Sequence, residues 1–250
     1  MKPLNFLVAP DFSPEYFTGW HFLSTRLQRL IDLPIHVILP ADAKEESQHI
    51  ESGEIDLFYA NPFNTTEMVR EKGYLPLVVP RNHPDEVVIA RGLESKLAKF
   101  EDIKPGMKVL YTNNFDIKLI ALRLLEAVDL NEHDLQWLLV DSFSAVARGL
   151  IDDKADFGLF ISSVYHNLSE FTRSQLSPLI ESNIQDLSHI LLLNPRHADL
   201  HDKLQQIFST FQDEPTGQMI LNDLGLPDGF KPLSLEEQEF IIDLIETLQD

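Results

Sequence analysis

Short apolar runs alternate with amphipathic stretches along the first 60 residues. This pattern predicts β-strands at 5–9, 35–39 and 57–60, separated by helices at 13–31 and 43–51. Ser13, Pro14 and Glu15 are typical of a helix start, because they combine an N-cap residue, a first-turn proline and an acidic first turn. The order strand, helix, strand, helix, strand predicts an α/β fold.

The same order restarts after Gly106. Strands are predicted at 107–111, 135–140 and 157–161, with helices at 115–128 and 144–152. A local similarity accompanies this order: residues 51–58 align with 151–158, and each stretch places an aspartate, Asp56 or Asp156, before a buried strand. The repeated order and the local similarity together predict the internal duplication of one α/β unit.

Two lobes follow from this repeat. Apolar runs at 74–79, 86–90 and 188–193 are interpreted as crossings between the lobes, and helices at 197–212, 216–224 and 235–248 are expected to pack on the first lobe. We predict one lobe from residues 1–90 and 190–250 and another from residues 91–189. Each lobe is expected to be a mixed sheet flanked by helices, with a ligand cleft between the two.

Candidate ligand-binding residues lie where predicted strands lead into helices. In open α/β sheets, ligands bind beyond the carboxyl ends of the strands, near the unpaired N–H groups of helix N-termini. The candidates are Asp11, Phe12, Ser13, Tyr59, Asn61, Thr112, Asn113, Asn114, Ser142, Phe143 and Ser162. Threonine and asparagine are also common helix caps, so both interpretations stay open at 112–114.

Aromatic residues are frequent in and beside the same loops, whereas lysine and arginine are scarce. The aromatic residues are Phe12, Tyr16, Tyr59, Phe63, Tyr111, Phe115, Phe143 and Tyr165. Such residues are more often part of a core. Those that face a ligand would favour one with an apolar or cationic part, through packing or cation–π contact.

Composition excludes several classes of function. Forty acidic residues against twenty basic ones give a formal charge of −20, which repels nucleic acid and anionic lipid, so neither is expected as a partner. The chain has no cysteine, which excludes disulfides, thiolate metal sites and cysteine nucleophiles. No apolar stretch approaches the ~18 residues of a membrane span.

Two further expectations concern location and metals. The first apolar run reaches Pro10 and Asp11 too soon for a signal-peptide core, so the chain as written is expected to be cytoplasmic, or periplasmic if a signal sequence was removed. His197 and His201 have the spacing of metal ligands on a helix, but no third ligand is evident. A solvated helix face is the favoured interpretation, and we expect neither a metal nor a cofactor.

Four stretches carry a family resemblance. They are GEIDLFYANPF at 53–63, MVREKGYLPL at 68–77, LAKFEDIKPGMKV at 97–109 and GLIDDKADFG at 149–158. Together they resemble the phosphonate-binding family of periplasmic solute-binding proteins of ABC transporters, over residues 4 to 225. The resemblance implies a two-lobed type II periplasmic-binding fold that closes by hinge motion on a small solute of the phosphonate or phosphate type, or a related one. It also implies a partner, the transporter permease, and we expect a monomer.

The chain departs from the family at two turns. Members that hold phosphonate carry a turn rich in serine and threonine at the first helix of the second lobe, whereas this turn reads TNNFD and ends in Asp116. A turn that contains histidine in the family reads DSF at 141–143. We therefore hypothesise a ligand other than simple phosphonate. The alternative function is a cytoplasmic small-metabolite enzyme on the same fold, for which Asp11, Asp116, Asp141 and His166 are the candidate acids and bases.

Overall fold

The structure, a computed structural model, describes residues 2–10, 16–84, 86–183, 187–233 and 235–249. It divides into two compact units. The first contains the described residues up to Pro84 together with 187–248, and the second contains 86–183. The chain therefore passes from one unit to the other after Pro84 and again before Leu187.

Eleven strands and ten α-helices are described. The strands are β1 (Leu4–Val8), β2 (Ile35–Ile38), β3 (Leu57–Ala60), β4 (Leu75–Pro80), β5 (Val87–Gly92), β6 (Lys108–Tyr111), β7 (Gln136–Leu139), β8 (Phe157–Ile161), β9 (Leu176–Glu181), β10 (Ile190–Leu193) and β11 (Phe230–Pro232). The helices are α1 (Phe17–Ile31), α2 (Ala43–Ser52), α3 (Pro62–Arg70), α4 (Phe115–Glu126), α5 (Phe143–Ile151), α6 (Ser162–His166), α7 (Glu170–Ser174), α8 (His201–Ser209), α9 (Pro215–Asp223) and α10 (Leu235–Gln249). None of these helices combines the length and the apolar character that a membrane crossing requires.

The first unit is built on a six-stranded mixed sheet in the order β11-β4-β10-β3-β1-β2. β1 pairs in parallel with β2 and β3, whereas β10 is antiparallel to β3 and β4. Helices α1, α8 and α9 pack on it through Leu23, Phe208 and Leu221, all inaccessible to solvent, in one core with Phe6 and Leu57. Two C-terminal helices thus cover the first unit.

The second unit is built on a five-stranded sheet in the order β7-β6-β8-β5-β9. β6 is parallel to β7 and β8, and β5 is antiparallel to β8 and β9. Its core joins β5, β8 and α5 through Val88, Phe160 and Val146, which are fully buried. The order matches β2-β1-β3-β10-β4 of the first unit, strand for strand and direction for direction.

Asp56 and Asp156 make matching backbone contacts in the two units. Asn5 N donates to Asp56 Oδ2 at 2.8 Å, and Lys108 N donates to Asp156 Oδ2 at 2.7 Å. In return, Asp56 N donates to Asn5 O at 2.9 Å and Asp156 N to Lys108 O at 3.0 Å. Each aspartate therefore joins the amino end of one parallel strand to its neighbour, which supports the predicted duplication.

Several element bounds differ from the prediction. The described part of α1 begins at Phe17, and the predicted start at Ser13, Pro14 and Glu15 lies outside the described residues. The helix predicted at 197–212 is instead a 3-10 helix, Pro195–Leu200, followed by α8. The change follows from Asn194, whose side chain accepts from Arg196 N, and from the proline after it, which together start a tight turn.

Candidate functional site

Asn61 marks the carboxyl edge of the first sheet, at the end of β3. Its Oδ1 accepts from Asn64 N at 2.8 Å and thereby caps α3, which Pro62 begins. Thr65 Oγ1 donates back to Asn61 O at 2.9 Å. The predicted ligand residues Asp11, Phe12 and Ser13 lie outside the described residues.

Tyr59, another predicted ligand residue, lies in the core of the first unit. Its side chain is 5% exposed. The ring lies 4.8 Å from the Trp20 ring and stacks on His189 at 5.0 Å with an interplanar angle of 18°. These contacts bury the aromatic face that a ligand would need.

Two helix N-termini lie at the carboxyl edge of the second sheet. Asn114 Oδ1 accepts from Ile117 N at 3.0 Å and caps α4, and Ser142 Oγ accepts from Ala145 N at 3.2 Å and caps α5. The structure thus gives Asn114 and Ser142 the capping role, which still leaves Ser142 exposed at the surface. Caps use only part of the four free N–H groups of each helix, so the remaining ones can bind an anion.

The residues next to these two caps also lie at the carboxyl edge of the second sheet. Thr112 is half-buried and Asn113 is exposed in the turn before α4, while Phe143 packs on Phe160 with ring centroids 6.3 Å apart. Asp116 is buried in the first turn of α4, at 5% exposure. A carboxylate there offsets the positive end of the helix dipole and lowers its attraction for an external anion.

A cluster of Ser162, His166 and Glu181 lies at the same edge. Ser162 Oγ donates to Glu181 Oε1, and His166 Nε2 lies 3.0 and 3.2 Å from the two carboxylate oxygens. The hydrogen bond from Ser162 and the contact with His166 hold the pKa of Glu181 below its usual range, against a smaller effect of burial. Glu181 is therefore an ionised carboxylate, with its side chain still 40% exposed.

The sheet topology brings these three residues together. Ser162 begins α6 directly after β8, and His166 lies one helical turn further on the same face. Glu181 ends β9, and Val88 of the intervening strand β5 pairs with both Phe160 and Glu181. The sequence pattern indicates Ser162 and His166 separately but not Glu181, because nothing local marks residue 181 as a neighbour of residue 162.

The cluster does not have the arrangement of a nucleophile and its base. Activation of a serine requires its hydroxyl to donate to a histidine nitrogen. Here Ser162 and His166 both bond to the carboxylate instead. The arrangement fits a role in fixing the position of a carboxylate.

A second polar cluster surrounds Asp56 at the amino edge of the first sheet. Asp56 Oδ1 accepts from Arg196 Nε at 2.8 Å and lies 2.7 Å from Arg196 Nη2 and 2.6 Å from His197 Nε2. Burial raises the pKa of Asp56, but the bonds from Asn5, Arg196 and His197 outweigh it and hold the pKa below the usual value. These contacts join the 3-10 helix after β10 to Asp56, the residue before β3.

This cluster corrects the interpretation of two histidines. The expected solvated helix face is wrong for His197, which lies in the 3-10 helix and contacts a carboxylate that is only 6% exposed. His201 Nε2 lies 3.1 Å from Pro76 O. Among the described residues no group of histidine, aspartate and glutamate has a geometry that holds a metal ion.

Comparison with known proteins defines the fold further. A family profile described as "ABC transporter, phosphonate, periplasmic substrate-binding protein" matches residues 6–238. The chain is similar to PhnD1 from Prochlorococcus marinus in complex with methylphosphonate, with a TM-score of 0.82, 11% identity, and 99% and 98% of the two chains covered. It is also similar to the aliphatic sulphonate binding protein SsuA from Escherichia coli (TM-score 0.71, 15% identity, 100% and 93% covered) and to XAC2383 from Xanthomonas citri bound to ATP (0.74, 11%, 100% and 99%).

No curated protein matches the sequence. The likeness to the solved structures confirms the predicted fold class, a type II periplasmic-binding fold with two mixed sheets flanked by helices.

Proposed function

Because the chain belongs to the family of phosphonate periplasmic substrate-binding proteins of ABC transporters, whose members bind small molecules for import, we propose that its own ligand is an anion that also carries an ammonium group. The observation behind this proposal is the ionised Glu181 carboxylate, which Ser162 and His166 hold at the carboxyl edge of the second sheet. Ligands of this fold class bind at that edge.

The anionic group of the ligand is assigned to the start of α5. This helix has no acidic residue in its first turn, whereas the first turn of α4 contains the buried Asp116. Ser142 and the free N–H groups beside it supply hydrogen bonds to an anion, and the helix dipole favours negative charge there. The other predicted residues of the edge, Thr112 and Asn113, remain proposed ligand contacts.

The ammonium group of the ligand is assigned to Glu181. Its Oε1 is used by Ser162 and its two oxygens are approached by His166, but the side chain remains open to solvent over 40% of its surface. A purely anionic ligand at this edge is repelled by the negative charge of Glu181, whereas an ammonium group forms a hydrogen-bonded ion pair with the same carboxylate. Glu181 therefore selects against simple alkylphosphonates.

Calorimetric titration with matched ligands tests this proposal. We expect 2-aminoethylphosphonate to bind at least about tenfold tighter than ethylphosphonate, which differs by the ammonium group, and Glu181→Gln to remove that difference, since an ion pair of this kind contributes about 1.5 kcal/mol. Glu170→Gln, on exposed α7 of the same unit, is the control and should bind as the unchanged protein does. Equal binding of the two ligands, or a Glu181→Gln variant that still distinguishes them, would exclude the proposed role of Glu181.

Partner and location follow from the family. We propose that the protein delivers its ligand to the permease of an ABC transporter, and that it acts in the periplasm, where the family functions, rather than in the cytoplasm. The alternative of a small-metabolite enzyme gains no support from Ser162 and His166, because both are bonded to Glu181. A monomer remains our expectation, since one chain contains both repeated units.

A further inference from the structure

A cavity of about 470 Å³ opens at the amino edge of the second sheet, opposite the edge that carries Ser162 and Glu181. It lies within the second unit. Its walls combine six charged side chains with the apolar residues Leu97 and Met107. Met107 precedes β6 and Asp156 precedes β8, which places the cavity at the amino ends of these two parallel strands.

The duplication identifies the corresponding place in the first unit. Ile190 of β10 pairs with Ala60, and Val88 of β5 pairs with Phe160, the residue that matches Ala60 in the repeat. Six positions beyond Ile190 the chain reaches Arg196, and six positions beyond Val88 it reaches Glu94. Arg196 and Glu94 therefore occupy matching positions of opposite charge.

In the first unit the Arg196 guanidinium occupies this place. Two of its nitrogens, Nε and Nη2, lie 2.8 and 2.7 Å from Asp56 Oδ1, while Nη2 donates to Ile55 O at 3.2 Å and Nη1 to Gly53 O at 3.4 Å. A carboxylate and two carbonyls thus form a guanidinium site that is filled from within the chain.

In the second unit the matching carboxylate, Asp156, faces the cavity. It keeps the hydrogen bond from Lys108 N, but a glutamate stands where the first unit has its arginine. Within the described part of the chain, the five other charged side chains of the cavity form no ion pair: Glu94, Lys96, Asp102, Lys104 and Asp153. Four carboxylates and two ammonium groups leave the cavity with excess negative charge.

We propose that this cavity binds a guanidinium group supplied from outside the chain, which takes the position that Arg196 takes in the first unit. Asp156 receives the guanidinium as Asp56 does, Glu94 adds a second carboxylate, and the buried Leu97 packs against the aliphatic stem. The guanidinium belongs either to a free guanidino compound or to an arginine side chain of a protein partner. This site is separate from the ligand edge and independent of the proposal made for Glu181.

The experiment is a titration of the ¹⁵N-labelled full chain with L-arginine, followed by NMR. We expect saturable shifts at the amides of Lys108 and Leu97 with L-arginine, and none with L-citrulline, which has the same shape without the charge. A short capped peptide with a central arginine distinguishes the two sources. Tighter binding of the peptide indicates a protein partner, and tighter binding of free arginine indicates a small molecule.

Two variants test the geometry. Glu94→Gln should weaken arginine binding by about tenfold, which corresponds to the loss of one charged contact. Glu94→Arg recreates the arrangement of the first unit, so it should abolish arginine binding and raise the melting temperature. Glu170→Arg makes the same charge change at an exposed residue that does not line the cavity, and it should retain arginine binding. Shifts that are equal with citrulline, the absence of saturable shifts, or arginine binding that survives in Glu94→Arg would each overturn the proposal.

Discussion

Asp56 and Asp156 have the same backbone role and different surroundings. Each accepts a hydrogen bond from the amide at the start of the neighbouring strand. Asp56 additionally contacts Arg196 and His197, and its side chain is 6% exposed. The two aspartates therefore share one backbone contact and differ in the ion pair that Asp56 forms with Arg196.

The comparison of two identical substitutions measures this difference. Asp56→Asn removes the charged partner of Arg196 and His197, whose side chains are 45% and 27% exposed and are therefore partly solvated without it. We expect a loss of about 2 kcal/mol in the free energy of unfolding. Asp156→Asn keeps an acceptor for Lys108 N and disturbs no ion pair, so its loss should stay near 1 kcal/mol. Urea denaturation of both variants at pH 7 gives the two values, and equal losses would show that the Arg196 contacts add no stability.

The effect of Asp56 depends on pH in a defined direction. The folded-state pKa of Asp56 is lowered from the unfolded value of 3.8, so its contribution to stability is complete above that value and is lost as the pH falls through the folded-state pKa. The stability gap between the unchanged protein and Asp56→Asn should therefore be constant from pH 7 to 5 and narrow below about pH 4. A gap that persists at pH 3 would assign the loss to packing instead of charge.

Three glycines allow the element α5 to pack closely against the second sheet. A Cβ atom added at Gly92 of β5 would lie 2.4 Å from Leu150 O, one at Gly158 of β8 would lie 2.6 Å from Val146 Cγ1, and one at Gly149 would lie 2.5 Å from Leu110 Cδ1. The helix carries Ser142 at its N-terminus, so this close packing also positions the proposed anion contact.

Alanine at two of these glycines should have different effects. Gly92→Ala forces the backbone of α5 away from β5, so we expect it to cost about 2 kcal/mol of stability and to weaken ligand binding. Gly149→Ala meets the end of a flexible leucine side chain, and alanine favours the helix by about 1 kcal/mol, so the two effects should nearly cancel. Urea denaturation and calorimetry on both variants provide the test. Equal stabilities would mean that α5 does not depend on Gly92.

Sequence patterns predicted most elements but missed the strands β9 and β11 and the short helices α3, α6 and α7. Fully buried strands such as β3 and β8 are continuous apolar runs bounded by turn residues, and these were identified. β9 lies at the edge of its sheet, is largely half-buried and contains Pro178, so it has neither alternation nor an apolar run. Glu181 lies at the end of this strand, which is why the candidate site was predicted only in part.

At the scale of the whole molecule, the repeated strand order could be predicted from the sequence, whereas the contacts between distant residues could not. The repeated order of strands is a property of local pattern, so two units with matching sheets follow from the sequence. The contacts of Asp56 with Arg196 and of Ser162 with Glu181 join residues that are far apart in the chain or separated by another strand. Such contacts depend on topology and on side-chain placement, which periodicity does not encode.

Hinge closure on the ligand is the prediction that belongs to the whole molecule. Along the described residues the chain passes between the two units twice, and the residues beside these passages are hydrogen-bonded within their own units. Ser188 Oγ donates to His83 O at 3.1 Å in the first unit, and Val87 N donates to Ser182 Oγ at 2.8 Å in the second. We expect the chain to bend at these two passages when a ligand binds, because hinge closure around a ligand is an established kind of two-unit motion.

We expect saturation with 2-aminoethylphosphonate to reduce the radius of gyration measured by small-angle X-ray scattering, because a ligand stabilises the closed form by the extra contacts it makes there. Glu181→Gln at the same ligand concentration should keep the larger radius, and ethylphosphonate should leave the unchanged protein near its unliganded value. Identical scattering with and without a ligand that calorimetry shows to be bound would mean that binding occurs without closure, and the ligand would then be held by contacts that exist before it arrives.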